Sequence, residues 1–344
     1  MITLSNDRLS FRFPEIHESA KLDISFLRTL RIPDDGDTYH LPPGLGDFPL
    51  QHVDDHMKTV PASWLKHGGV MLPMYQSEAM WLSFDSTRIE DRYASYPFAI
   101  KIAAGKIDAV SGKAWTESLD FDDQNYVVSP NQPWLDGFCV KKGIIRQFVA
   151  MPLGEGFSVE EQLTDDDEFV GGLQIQVFPM KRAAFDRRFP KDDSFIERRN
   201  LKFDSMVCSS PLHSSPDMGL GAGGKMKQDI EKDTFTPEDW DLTTSSRCFV
   251  HLANSHTWQA ITGSKPPTEP PTAKRYADYG LPWFDYYSDG PAVEGSDALS
   301  GIKSVNDIAA TKGLTLLNND PVEVDRVIKL RSPLSKNEVR EGSF

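Results

Sequence analysis

Between Tyr96 and Pro179 the chain breaks into short apolar, partly alternating runs, each closed by a turn signal. YPFAIKIAAGKIDAVSGKAW, NYVVSPNQPWLDGFCVKKGIIRQFVAMPLGEGFSVEEQL and GGLQIQVFP are punctuated at AGK, SGK, PNQP, KKG, GEG and GG. Runs of about four to eight residues rich in Val, Ile and Phe at this spacing predict strands of an antiparallel sheet with one face covered. The expected fold class is mainly β: an antiparallel β-sandwich or barrel-like meander with a few short helices. Its expected inward positions include Ile100, Ile102, Ile145, Val149, Ile175 and Val177.

A chain of 344 residues is long enough for one large β-rich domain, expected over residues 1–320, with a candidate internal boundary near 206–241 and a charged, frayed tail over 321–344. Gly and Pro, 24 each, suit a loop-rich β protein better than a helical bundle, and 39% apolar residues is too many for a disordered one. The formal charge of -14 has no compensating basic block, which argues against nucleic acid and anionic lipid as partners and leaves a neutral or cationic ligand or protein. Residues 1–19 lack the apolar core of a secretory signal, and no run approaches a membrane span. Cys139, Cys208 and Cys248 are odd in number and far apart, as buried free thiols in a reducing cytoplasm would be.

Outside the central run, LDISFLRTLRIP and MWLSFD read as strands, and short helices are expected at Pro49 to Lys58, Pro61 to His67 and over MKRAAFDRRF. SVNDIAATKG is a helix with Ser304 as N-cap and Gly313 as its stop. RCFVHLANSHTWQAITG reads as two strands around an Asn254-Ser255 turn. CSSPLHSSPDMGLGAGGKMKQ lacks hydrophobic periodicity and reads as a long loop leading into a helix over MKQDIEK.

That loop holds the sharpest motif. Gly219, Gly221 and Gly224 satisfy G-x-G-x-x-G, and Gly219 to Lys225 satisfy most of a phosphate-cradling loop, with Gly223 adding further backbone freedom. Met226 stands where a magnesium-holding hydroxyl belongs, and no apolar strand precedes the glycines. The nucleotide reading therefore gives way to a lone anion held by the amides with Lys225 and Lys227, or to glycines that serve only turning and packing. His52 and His56, at i and i+4, would share a helix face and chelate zinc or iron, but Val53 replaces the glutamate of H-E-x-x-H, and two unliganded surface histidines are the plainer reading. His251 and His256 lie five apart across the expected turn.

No nucleophile elbow is present, and Ser111 sits in a hairpin turn. Glu160 and Glu161, expected on a strand, and the run Asp165 to Glu168 offer carboxylates for acid and base work, although such runs are more often solvated turns. Trp283, Phe284, Tyr286 and Tyr287 cluster in LPWFDYY, and Trp115, Trp134 and Trp258 lie on or beside expected strands. Exposed, such rings stack on sugars, bases or prolines; buried, they close the core and bring donors that need partners.

The blocks PWLDGFCVKKGIIRQFVAMPLGEGFSVEEQLT, MGLGAGGKMKQDI and KPPTEPPTAKRYADYGLPWFDYY resemble those of a family of microbial proteins with no assigned reaction, over residues Ile24 to Gly313. That resemblance brings no catalytic or binding residue with it. It implies only that the long loop and the aromatic segment belong to the folded unit.

The functional expectation is a soluble, non-catalytic binding or interaction protein, without a cofactor, whose ligand contacts lie on long loops. One rival is a hydrolase using paired carboxylates or a His-bound metal. The other is a self-assembling structural protein.

Overall fold

The computed structural model describes residues 1–165, 168–191, 217–287, 290–316, 321–322, 324 and 326–331. It is mostly β, 36% strand against 18% helix, with seven short helices among the described residues. The main strands are β1 (Ile2–Ser5), β2 (Arg8–Arg12), β3 (Lys21–Thr29), β4 (Val70–Pro73), β5 (Ala79–Ser86), β6 (Phe98–Ala104), β7 (Ile107–Asp108), β8 (Ile144–Pro152), β9 (Leu173–Pro179), β10 (Met218–Lys227) and β11 (Ser246–Ala253). The helices are α1 (Ala62–His67), α2 (Val159–Leu163), α3 (Arg182–Arg188), α4 (Ser255–Thr262), α5 (Ala273–Asp278), α6 (Asp297–Ser300) and α7 (Val305–Thr311).

The sheet runs in the order β1-β2-β3-β5-β8-β10-β11-β9-β6-β7, with every neighbour on this path antiparallel. It is antiparallel as expected, but it is not a closed barrel, and it is not a sequential meander. β8 and β9, adjacent in sequence, are separated by β10 and β11. Turn spacing locates strands and says nothing of which strand pairs with which, because that choice belongs to long-range packing. The two ends of the sheet approach through side chains: Phe13, just after β2, packs on Phe98 of β6 at 6.0 Å, and Ser86 Oγ of β5 meets Ser129 Oγ at 2.6 Å. One large apolar cluster fills the space they enclose, and Ile100, Ile102, Ile145, Ile175 and Val177 belong to it. Val149 instead joins a smaller cluster with Phe157, Val305 and Ile308.

The glycine segment corrects the expectation most sharply. Residues 218–227 form β10, an interior strand paired with β8 along its length and with β11 at Met218. Gly219, Gly221, Gly223 and Gly224 have no positive φ, so they do not form the expected turn. They are glycines because other chain segments touch this strand. A Cβ on Gly219 would meet Leu153 and Ser158, one on Gly221 would meet Val305 and the Phe157 carbonyl, and one on Gly224 would strike Ile32 and the Pro33 carbonyl. Where Arg146 and Phe148 pair with Lys225 and Ala222, the register slips, leaving Gly223 and Gly224 opposite Gln147 alone as a β-bulge. A sheet strand thus occupies residues 218–227 within the 206–241 stretch, and MKQDIEK forms no helix; residues 206–216, with Cys208, lie outside the described residues.

Two further segments differ from expectation because of caps. Glu160 and Glu161 lie on α2, not on a strand, since Ser158 and Glu161 close a reciprocal capping box. Asn254 is the N-cap of α4, accepting from His256 N and Thr257 N, so HLANSH is a strand-to-helix junction and not a hairpin. Helix α7 starts at its Ser304 cap as expected. In the tail, Val327–Arg331 forms a parallel ladder with Trp283–Tyr287, while residues 332–344 lie outside the described residues.

The backbone contact at β10 gives a direct test. Gly224→Ala should destabilise by about 1–3 kcal/mol, because a carbonyl cannot move aside as a flexible side chain can. Gly301→Ala, where the nearest atom to a new Cβ is a carbonyl at 3.5 Å, should change stability by less than about 0.5 kcal/mol. Urea unfolding midpoints for the two variants measure this, and equal effects would refute close packing on β10.

Candidate functional site

The expected site residues do not converge. The β10 backbone that carries Gly219 to Lys225 pairs with β8 rather than turning, so its amides form no anion-holding concavity; Lys225 reaches Gly36 O at 3.3 Å and Lys227 is exposed. Trp283 is buried against Tyr276 at 5.2 Å and Tyr39 at 6.4 Å, Phe284 is half-buried and bridges Leu41 through its backbone, and the side chains of Tyr286 and Tyr287 lie outside the described residues. His52 and His56 flank a 3-10 turn over Val53–His56, not an α-helix, and His56 Nε2 contacts Gln51 Oε1 at 2.7 Å. Among the described residues no three His, Cys, Asp or Glu side chains gather as metal ligands. Cys139 and Cys248 are buried free thiols, each pushed up to about 12 mainly by burial.

Pairing register brings together a different set. Asp108 on β7 lies opposite Ala103 on β6, Lys101 on β6 lies opposite Gln176 on β9, and Gln176 lies opposite Arg247 on β11. One row along, Ala103 pairs with Gln174 and Gln174 with Phe249. Directly paired residues share a face in an antiparallel sheet, so these side chains all stand on the face turned away from Ile100, Ile102, Ile175 and Val177. A sheet with one apolar and one polar face needs only the alternation that FAIKIAA and LQIQVFP carry.

This polar face is covered by the strap of residues 113–120. Lys101, fully buried, donates to Thr116 O (2.6 Å), Ser118 O (2.7 Å) and Thr116 Oγ1 (3.1 Å), and its ammonium lies 4.8 Å from the centre of the Trp115 ring. Burial lowers the lysine pKa, and the charges of Asp108 and Asp120 oppose that shift. Arg247 ties the same strap to β11 through Glu117 at 3.0 Å. Asp108 Oδ1 accepts from Ser111 N (2.8 Å), Ser111 Oγ (3.0 Å) and Val110 N (3.0 Å), which makes Ser111 a turn former as expected. Burial nonetheless raises Asp108 to about 6.

Three polar atoms here are buried and meet no hydrogen-bond partner among the described residues: Asp108 Oδ2, Gln176 Oε1 and Trp115 Nε1. Asp108 and Gln176 are 2% and 6% exposed. Several other buried polar groups on the molecule are satisfied in pairs, whereas Trp81 Nε1, Ser255 Oγ and Trp258 Nε1 also meet no partner among the described residues. Arg28 binds Glu78 through two nitrogens, and Asp136, pushed up to about 7 by burial, exchanges two hydrogen bonds with Gln228. A buried group left unmade costs about 1–3 kcal/mol, and here three such atoms belong to one sheet face and the strap over it.

Beside the strap, α1 lies over β11. Trp64 stacks on His251 at 4.7 Å and His67 on Phe249 at 4.6 Å, while Arg247 covers Phe249 at 5.3 Å. His251 Nε2 lies 2.9 Å from Gly68 O, so that nitrogen carries the proton in the neutral ring. His256 stands exposed in the first turn of α4. The sequence signals missed were the alternating Lys101, Gln174 and Gln176, which read as ordinary strand polar positions, and Trp115, noted only as lying near a strand.

His251 makes this region sensitive to acid. Burial lowers its pKa from 6.5 to about 4, so the unfolded chain takes up a proton between those values that the folded protein refuses. The stability present above pH 6.5 is therefore lost as pH falls toward 4, by up to about 3 kcal/mol. His251→Phe keeps a ring on Trp64 and should flatten the pH 4–6.5 slope of unfolding free energy by nearly one proton; an unchanged slope would show that His251 is not the group refusing the proton. Comparison with protein-family models, curated proteins and solved structures finds no match to this chain.

Proposed function

We propose that this protein is a non-catalytic binding protein whose ligand seat is the polar face formed by β7, β6, β9 and β11 under the strap 113–120. The observation that carries this reading is the cluster of Asp108 Oδ2, Gln176 Oε1 and Trp115 Nε1, buried without partners on one sheet face. Folding leaves such groups unpaired where something else pairs them. Charge on the face is balanced, Lys101 against Asp108 and Arg247 against Glu117, which favours a small uncharged ligand. The lysine and serine of this face are already committed, Lys101 to three oxygens and Ser111 to Asp108.

The test is thermal unfolding of the wild type and Gln176→Leu against a panel of sugars, nucleosides, amino acids and dicarboxylates. At a hundredfold excess over Kd a bound compound should stabilise by about 2.7 kcal/mol, read as a rise of a few degrees in Tm, and Gln176→Leu should abolish that rise. A panel without any stabilising compound, or a rise that survives in Gln176→Leu, would overturn the assignment of the seat.

A further inference from the structure

We infer that the ligand of this face is an uncharged saccharide or cyclic polyol, enclosed when the strap 113–120 closes over it; this rests on the binding reading above. Asp108 Oδ2 and Gln176 Oε1 accept and need donors, whereas Trp115 Nε1 donates and needs an acceptor. A hydroxyl is both at once, so a molecule bearing several adjacent hydroxyls meets all three without any charged group.

Spacing agrees. Asp108 and Gln176 are two strands and two residues apart, which puts their Cα atoms roughly 12 Å apart. On the strand between them the same face carries Ala103, a methyl group, and Lys101, whose ammonium is drawn up to the strap oxygens. Side chains reaching inward over that methyl span a distance that one pyranose or inositol ring with its hydroxyls bridges. The half-buried Trp115, whose ring the Lys101 ammonium faces at 4.8 Å, contributes its indole N–H as the donor.

Charge excludes the near alternatives. An acidic sugar would meet Asp108 within a protein of formal charge -14, and an amino sugar would compete with Lys101, whose ammonium already holds the strap oxygens. The strap supplies the closure. Its exposed tie to the sheet is Glu117 with Arg247, and its buried tie is Lys101 with Thr116 and Ser118. Breaking the exposed tie should ease entry and exit without disturbing the groups that hold the ligand.

Calorimetric titration of the full chain with glucose, galactose and myo-inositol, beside glucuronate, glucosamine and adenosine, decides the matter. At least one neutral sugar or polyol should bind, its charged analogue at least about tenfold more weakly, while Gln176→Leu should abolish measurable binding and Trp115→Phe weaken it by about tenfold. Glu117→Gln, at an exposed position, should keep the melting temperature while raising the ligand dissociation rate severalfold. Adenosine binding that depends on Gln176, with no sugar bound, would overturn the saccharide class and leave the seat standing. Binding of none of the six, with an experimental structure showing only ordered water on Asp108 Oδ2 and Gln176 Oε1, would overturn both.

Discussion

The arrangement rests on how closely other parts of the chain approach the backbone of one strand. β10 carries glycine at residues 219, 221, 223 and 224, and each missing side chain is occupied by something else: Leu153 and Ser158, Val305, Val149, and the Ile32-Pro33 segment in turn. A backbone without side chains is costly in entropy and gains little from its own burial. What it provides here is proximity, so that helix α7 and residues 30–33 pack against an interior strand. Gln147, opposite the bulge, then ties residues 30–32 to the sheet by accepting from Ile32 N at 2.8 Å and donating to Leu30 O at 2.9 Å.

Several buried carboxylates away from the proposed seat are paired in the same way. Asp239, fully buried, receives both Arg187 and Arg188, Asp233 receives Tyr126 and the Trp240 indole, and Glu160 receives three backbone amides. In each case the cost of desolvating a carboxylate is offset by donors at hydrogen-bond distance. Lys101 follows the same rule with carbonyl oxygens in place of a carboxylate. The seat departs from it at Asp108 and Gln176 on the sheet face and at Trp115 in the strap above, as Trp81, Ser255 and Trp258 do singly elsewhere, and the meeting of three such atoms at one covered face is what supports the binding reading.

Part of this was legible in the residues. Alternation and turn spacing placed β3, β5, β6, β8 and β9, and the Ser304 cap placed α7. Local signals failed where one pattern served two structures. A glycine run fits a phosphate loop and a closely packed strand equally well, because both require the absence of Cβ. Ser158 and Asn254 lie where an alternating run meets a helix, and capping decided against the strand reading on both sides. Strand order was illegible, since β8 and β9 carry nothing local that names β10 and β11 as the strands between them.

What the chain determined by itself is therefore the supply of strands, caps and alternating polar positions, each set by interactions within a few residues. The tertiary structure alone decided which polar positions meet. Asp108, Lys101, Gln176 and Arg247 come from strands up to about 140 residues apart in sequence and are placed in register by backbone ladders. A ladder aligns residues by the packing of whole faces, so the neighbours of any one polar side chain become definite only when the sheet closes around its core.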